Sequence, residues 1–329
     1  MIFLRLVFLF CICTLQALSI AQEEFIFDKA PFASCHASTL TETSDGTLLC
    51  AWFGGTAEGE SDVAIWLSEC KQGRWSAPRK IAHLPQVPCW NPVLCTLPSN
   101  EVLLFYKGGY TPLDWSGFLK RSFDAGRTWS QAEGLPAGIL GPIKNKPLLL
   151  ADGTLLCGTS VESYRRWGCW VDITPDGGRT WKKSQPINVD GQLFGIIQPT
   201  LFFGTGGEIR MLARSHQVGR VCAAGSCDDG VTWTPAVPTA LPNPNAGIDA
   251  VNLQDGRVLL VYNDCEEGRS PLNVAISSDG GKTWEMKLVL EDQPGEYSYP
   301  SVIQAKNGQV HITYTWKREK IKHVVVKLI

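Results

Sequence analysis

An all-β fold, a six-bladed β-propeller, is predicted by three observations. First, the pattern Ser-x-Asp-x-Gly-x-Thr-Trp occurs four times, with Thr for Ser in one copy. The copies are Ser122–Trp129, Thr174–Trp181, Ser226–Trp233 and Ser277–Trp284, so successive starts lie 52, 52 and 51 residues apart. A fixed period in this range marks a repeat architecture. Second, short apolar or alternating runs bounded by Gly, Asp, Asn and Pro fill the chain, and no stretch carries helical periodicity. Third, 329 residues less a leader of 21 leaves 308, room for about six units of roughly 50 residues with four strands each.

The chain opens with Arg5 followed by an apolar run, Leu6–Ile20, and small residues at Ser19 and Ala21. This reads as a secretory signal (residues 1–21) cut after Ala21. The run is shorter than the roughly 20 residues that cross a bilayer, and no other stretch is apolar enough to do so. Residues 22–329 then form a single domain, expected to be secreted or periplasmic.

Strand signals follow in order at Thr47–Phe53, Val63–Ser68, Val102–Tyr106, Leu148–Leu150, Thr154–Ser160, Glu208–Ala213, Val258–Tyr262 and Val310–Tyr314. Turns such as Asp45-Gly, Asp152-Gly, Asp255-Gly and Asn307-Gly precede several of them, where Asp or Asn bonds nearby backbone and Gly supplies positive φ. Each Ser-x-Asp-x-Gly-x-Thr-Trp copy reads as a hairpin turn whose Asp bonds backbone two residues on and whose Thr and Trp start the next strand. Ser68–Trp75 resembles a worn copy that keeps the Ser, a Gly and the Trp. The last blade is expected to join Tyr297–Tyr314 with strands near both termini, which closes the ring and removes sheet edges.

Net charge is −2, which gives no reason to expect nucleic acid or an anionic membrane as partner. Of twelve cysteines, two fall in the leader, leaving ten. That number is compatible with disulfides in an exported chain, although some cysteines suit small core positions. Their spacing does not suggest zinc; no metal and no cofactor are expected, and the chain is expected to be a monomer. In a propeller the functional residues come from the ends of inner strands of distant blades, so no short motif shows the site.

The repeats, their number and the chain length resemble the sialidase superfamily, whose Asp-box motif they match over residues 68–284. The resemblance implies an exo-acting glycoside hydrolase for terminal acidic sugars. In that family three arginines hold the substrate carboxylate, a Tyr assisted by a Glu is the nucleophile, and an Asp is the acid/base. The chemistry suits the substrate: a carboxylate on the anomeric carbon repels an anionic nucleophile, whereas an activated Tyr arrives neutral. Arginine offers the carboxylate a planar bidentate fork.

By this resemblance Arg214, in Glu208-Ile-Arg-Met-Leu-Ala-Arg214-Ser, and Arg269, in Arg269-Ser-Pro-Leu-Asn-Val274, match the second and third arginines. Tyr297, in Glu296-Tyr-Ser-Tyr299-Pro, matches the nucleophile, and Asp62 the acid/base with Glu58 as second choice. The chain departs from the family twice. His36 stands where the first arginine belongs, and Gln198 where the Glu partner of the nucleophile belongs. A Gln cannot take a proton from a tyrosine; Asp249 is a candidate substitute, and His36 a candidate proton carrier. Lys144, Lys146, Arg318 and Lys322 add cations at suggestive places. Because of these departures two other readings stay open: a hydrolase or lyase for uronic-acid polysaccharide, and a glycan-binding propeller without turnover.

Overall fold

The computed structural model describes residues 18–328. They form six four-stranded antiparallel blades arranged in a ring. From the axis outward, the first blade runs Ser34–Glu42, Leu48–Gly55, Ala64–Lys71 and Arg74–Trp75, with Arg79–Ala82 also pairing Ala64–Lys71. The inner strands of the other blades are Cys89–Thr96, Leu148–Leu149, Ile196–Phe203, Asp249–Asn252 and Tyr297–Gln304. The last blade takes its outermost strand, Leu18–Phe25, from the other end of the chain, paired antiparallel with Lys320–Leu328. The ring is thus closed by both termini, as the sequence implies. Residues 1–17 of the expected leader lie outside the described residues. A cut after Ala21 would leave Gln22–Phe25 of this closing strand still paired with Val325–Lys322.

Six hydrophobic clusters correspond to the six interfaces between neighbouring blades. Between the first and second blades, for example, Leu49, Phe53 and Ile65 pack on Trp90, Leu104 and Tyr106. A sheet buried on both faces needs apolar residues on both, which explains the unbroken apolar runs of the middle strands. The ten cysteines among the described residues are all free thiols, seven of them buried. Cys50, Cys157 and Cys169 have no exposed surface. They serve as small core side chains, so the expectation of disulfides is not met.

The four repeats form one structure at one end of the ring. In the last copy Asp279 accepts hydrogen bonds from Ser277 Oγ (2.7 Å), Lys282 N (3.0 Å), Thr283 N (2.9 Å) and Thr283 Oγ1 (2.6 Å), while Gly281 N donates to Ser277 Oγ (2.7 Å). The Asp therefore reaches four residues ahead rather than two. The Thr and Trp lie in the loop before the outer strand rather than in it. The Trp rings do pack across blade interfaces, Trp181 against Phe105 (6.1 Å) and Trp284 against Phe202 (6.3 Å). The worn copy has lost the motif altogether. Gln72 and Gly73, both at positive φ (51° and 75°), make a two-residue hairpin between Lys71 and Arg74, the turn type whose twist suits a tight hairpin.

The inner strands carry a feature that sets the site. Register slips between His36 and Thr39, Trp90 and Val93, Ile197 and Thr200, and Ser298 and Ser301. The first residue of each slip is at positive φ: Ala37 (55°), Asn91 (36°), Gln198 (53°) and Tyr299 (51°). These are bulges at equivalent points of four blades, and a bulge re-aims a side chain. A non-Gly residue in this conformation costs roughly 1–3 kcal/mol and persists only where its surroundings hold it.

Candidate functional site

Three of these bulges, in the first, fourth and sixth blades, and the hairpins beside them bring a cationic, tyrosine-centred cluster to the axis. The Tyr299 hydroxyl oxygen accepts hydrogen bonds from Arg214 Nη1 (2.9 Å) and Gln198 Nε2 (3.1 Å). Arg214 Nη1 also donates to Gln198 Oε1 (3.1 Å), and Arg214 Nε to Asn245 Oδ1 (2.9 Å). The guanidinium carbons of Arg214 and Arg269 each lie 5.7 Å from the Tyr299 ring centroid, and Lys144 Nζ lies 5.8 Å from it. The His36 ring packs on the same phenol at 4.2 Å, and its Nδ1 is 2.9 Å from Thr315 Oγ1.

A second layer of charge holds the arginines. Glu296 Oε1 accepts from Arg269 Nη1 (3.1 Å) and from Arg318 Nε (3.0 Å). Arg318 Nη1 donates to Glu58 Oε2. Lys317 and Arg318 are both at positive φ (53° and 57°), in the tight turn between Val310–Trp316 and Lys320–Leu328, which presents the Arg318 guanidinium beside Arg269. Burial works to raise the Glu296 carboxyl, but the hydrogen bond and charge of Arg318 and the charge of Arg269 hold it below its ordinary range.

Burial and charge set the other groups. Burial, reinforced by Arg318, Arg269, Arg214 and Lys144, keeps the His36 imidazole neutral well below its ordinary titration range. Burial brings Lys144 down to about 7, against the pull of Asp249. Its ammonium donates to Asn145 Oδ1 (2.9 Å), Ile248 O (3.1 Å) and the carbonyl of Pro300 beside Tyr299.

The sequence-derived residues separate cleanly. Arg214, Arg269, Arg318, His36, Gln198 and Glu58 meet at the axis. Tyr297 does not: it is 1% exposed inside the cluster between the fifth and sixth blades, and the tyrosine that meets Arg214 and Gln198 is Tyr299. Strict alternation would put residues 297 and 299 on one face, but the bulge at Tyr299 breaks the alternation. A signal for this was present. Asn91, Gln198 and Tyr299 each precede a Pro, and Pro within a strand marks an edge or a bulge. Asp62 sits in an exposed loop, where its carboxylate takes Thr56 N (3.0 Å) and Thr56 Oγ1 (2.8 Å). Asp249 is 1% exposed and bonded to Lys146 Nζ (2.9 Å), Thr200 Oγ1 (2.9 Å) and Val302 N (2.9 Å). It ties its own blade to three others, and Lys146 is spent on it. Lys322 is spent on Glu291 and Glu23. Sequence reading missed Glu162, at the end of Leu155–Glu162, which feels the charges of Arg214 and Glu58. Burial raises its carboxyl above the ordinary range. No sequence pattern marked it.

Among the described residues no group of three or more His, Cys, Asp or Glu side chains is arranged to hold a metal ion, and no helix is long and apolar enough to cross a membrane.

Comparison with known proteins agrees with this architecture. The BNR repeat-like domain family model matches residues 46–312. A sialidase of Micromonospora viridifaciens is 29% identical over 262 residues, covering 65% of this chain and 38% of that protein. A sialidase of Bacteroides fragilis is 25% identical over 235 residues, covering 63% and 42%. The chain thus spans about two fifths of the length of these relatives. Among solved structures, a protein of unknown function from Dyadobacter fermentans superposes with a TM-score of 0.83 at 18% identity, covering 95% of this chain and all of that one. A Hadza microbial sialidase superposes with a TM-score of 0.75 at 20% identity, covering 89% and 65%. Together with the four Asp-boxes and the six-bladed ring, these matches place the chain in the BNR-repeat family of the sialidase superfamily.

Proposed function

We propose that this protein is an exported exo-acting glycoside hydrolase of the sialidase type, taking a terminal acidic sugar from a glycan. The observation that carries the reading is the Tyr299 hydroxyl, set between Arg214 and Gln198 with Arg269 and Arg318 alongside. Arg214, Arg269 and Arg318 hold the substrate carboxylate, Arg318 supplying from the last blade the fork that His36 cannot. Tyr299 Oη bonds to the anomeric carbon as the bond to the leaving oxygen breaks. Glu162, whose raised carboxyl retains its proton to higher pH, gives that proton to the leaving oxygen. The Gln198 amide is oriented by Arg214 so that Nε2 faces the phenol, and it takes no proton. The phenol proton passes to water as the bond from Oη forms, because burial and the surrounding cations hold His36 neutral. Water then releases the sugar, its proton returning to Glu162, and the phenol recovers a proton from water.

Gln198 also favours a second reading, β-elimination on a uronate. There His36 or Tyr299 removes the proton beside the carboxylate, the C–O bond at the next carbon breaks, and the arginines neutralise the acid. Turnover of a fluorogenic sialoside by residues 22–329 supports the first reading if Tyr299→Phe loses it. An unsaturated, ultraviolet-absorbing product from a uronic-acid polysaccharide supports the second. Binding of an acidic glycan with neither product leaves a glycan-binding propeller. Export is tested by sequencing the N-terminus of the secreted chain, expected at Gln22.

A further inference from the structure

We infer that His216, acting through Asn245, is a positioning residue of the axial site: it fixes the angle at which Arg214 presents its guanidinium to a substrate carboxylate. This role deepens the proposed reading and rests on it only in taking Arg214 as a carboxylate donor. A chain of hydrogen bonds runs from the reacting phenol to the imidazole. Arg214 Nη1 donates to Tyr299 Oη (2.9 Å) and Gln198 Oε1 (3.1 Å), Arg214 Nε donates to Asn245 Oδ1 (2.9 Å), and Asn245 Nδ2 lies 3.3 Å from His216 Nδ1. The roles along it are fixed from the arginine outward. A guanidinium only donates, so the oxygen of the Asn245 carboxamide is the end that faces Arg214. The NH₂ is then the end that faces His216, and His216 Nδ1 accepts with its lone pair. Arg214 Nη2 has no partner among the described residues and is the donor left for a substrate.

Both residues are held for this contact. The His216 ring lies on Trp167 of the third blade, with 4.9 Å between centroids and 33° between planes, and the Phe194 ring stands edge-on to it at 5.9 Å. His216 N donates to Gly195 O (3.0 Å). Asn245 is at positive φ (58°), a conformation that Asn adopts more readily than most residues and that persists where its surroundings hold it. Beside it Asn243, 1% exposed, accepts from Ser215 N (3.3 Å) and donates to Ala246 O (3.0 Å), while Asn243 N donates to Gly219 O (3.1 Å). These bonds clip the loop that carries Asn245 to the hairpin that carries His216. An arginine side chain has about 2 kcal/mol of rotamer entropy. Pinned at Nε and Nη1, this one is ordered before a substrate arrives, as a supporting layer of hydrogen bonds should make it. Without the His216 lone pair, Asn245 Nδ2 loses its partner, the carboxamide turns, and Arg214 Nε is released.

The test is steady-state turnover of a fluorogenic sialoside by the full chain and by two variants that separate ring from lone pair. His216→Phe keeps the stack on Trp167 and removes the acceptor. His216→Asn removes the ring and keeps an oxygen where Nδ1 stood. The expected result in His216→Phe is a rise in KM of about tenfold, the size of one hydrogen bond to a charged group. Its kcat stays within about twofold, because a clamp that holds substrate and transition state alike moves KM alone. His216→Asn brings KM back to within about twofold of the parent, which a ring needed only for packing would not allow. If His216→Phe fails to fold, Asn245→Gly breaks the same link from its other side, tolerates the positive φ and shows the same rise. An unchanged KM in the variant that breaks the link, or a His216→Asn no better than His216→Phe, would overturn the inference. Absence of turnover in the parent counts against the proposed activity alone. The Arg214 Nε–H resonance then gives the answer: sharp and slow to exchange with solvent in the parent and in His216→Asn, fast-exchanging in His216→Phe. Equal exchange in the parent and His216→Phe would overturn the inference there.

Discussion

The two ends of this ring use polar residues in opposite ways. At the Asp-box end, one eight-residue segment satisfies itself. Asp279, Asp124 and their counterparts take donors from within four residues of themselves, and the turn is nearly identical in four blades. At the other end, Tyr299, Arg214, Gln198, His36, Arg269, Arg318 and Glu296 are contributed by four blades, the first, fourth, fifth and sixth. There most of the hydrogen bonds run between segments far apart in sequence. Repetition builds a scaffold because a local turn can be copied. A site cannot be copied, since each of its members has a different task, and it occupies the bulges where the blades differ.

The largest expected effect is Tyr299→Phe. Turnover falls on the order of 10³-fold while the melting temperature holds, and Tyr297→Ala does the reverse, losing about 3–5 kcal/mol of stability from the emptied core with less than about threefold change in rate. Equal losses from both would dissolve the distinction between axis and core. Next is acid sensitivity. His311 has an ordinary value of 6.5 and stands at about 4 in the fold. The neutral form is the one the fold stabilises, so this contribution is complete above pH about 6.5 and is lost as pH falls toward about 4. The full loss is on the order of 3 kcal/mol. Denaturant unfolding across that window, repeated with His311→Phe, measures it; the variant shows a flatter slope. Arg269→Ala is expected to lower kcat/KM about 10–100-fold by removing one carboxylate donor, with Glu296 left to Arg318. Smallest is Asp279→Ala, about 1–3 kcal/mol of stability for the lost turn hydrogen bonds and no change in kcat. A change in kcat there would mean that the two ends are coupled.

Much of the fold was legible. The period of the repeats gave the blade count, the apolar runs gave strands such as Val258–Tyr262 and Val310–Trp316 nearly to the residue, and the ring closure followed from the length left over. The site was legible only in part. Arg214 and Arg269 were found from their place before an Asp-box, and His36 and Gln198 from the departures they represent. Arg318 was read only as one more cation. Tyr297 and Asp62 were chosen for register and loop position, and each side chain is engaged elsewhere, Tyr297 in a core and Asp62 with Thr56. The Pro after Tyr299 carried the missing information, because a residue that cannot donate to the ladder forces the bulge that turns its neighbour to the axis.

By itself the sequence determined a closed ring of about six β blades, with which segments form strands and which turns cap them, because these depend on local pattern and on a period counted along the chain. The tertiary structure alone decided which tyrosine faces the axis, that Arg318 joins the site, that Asp249 and Lys146 tie blades together instead, and that a cavity opens where the first Asp-box is missing. Each of these depends on side chains from blades distant in sequence meeting in space, and on bulges that break the alternation a strand pattern assumes.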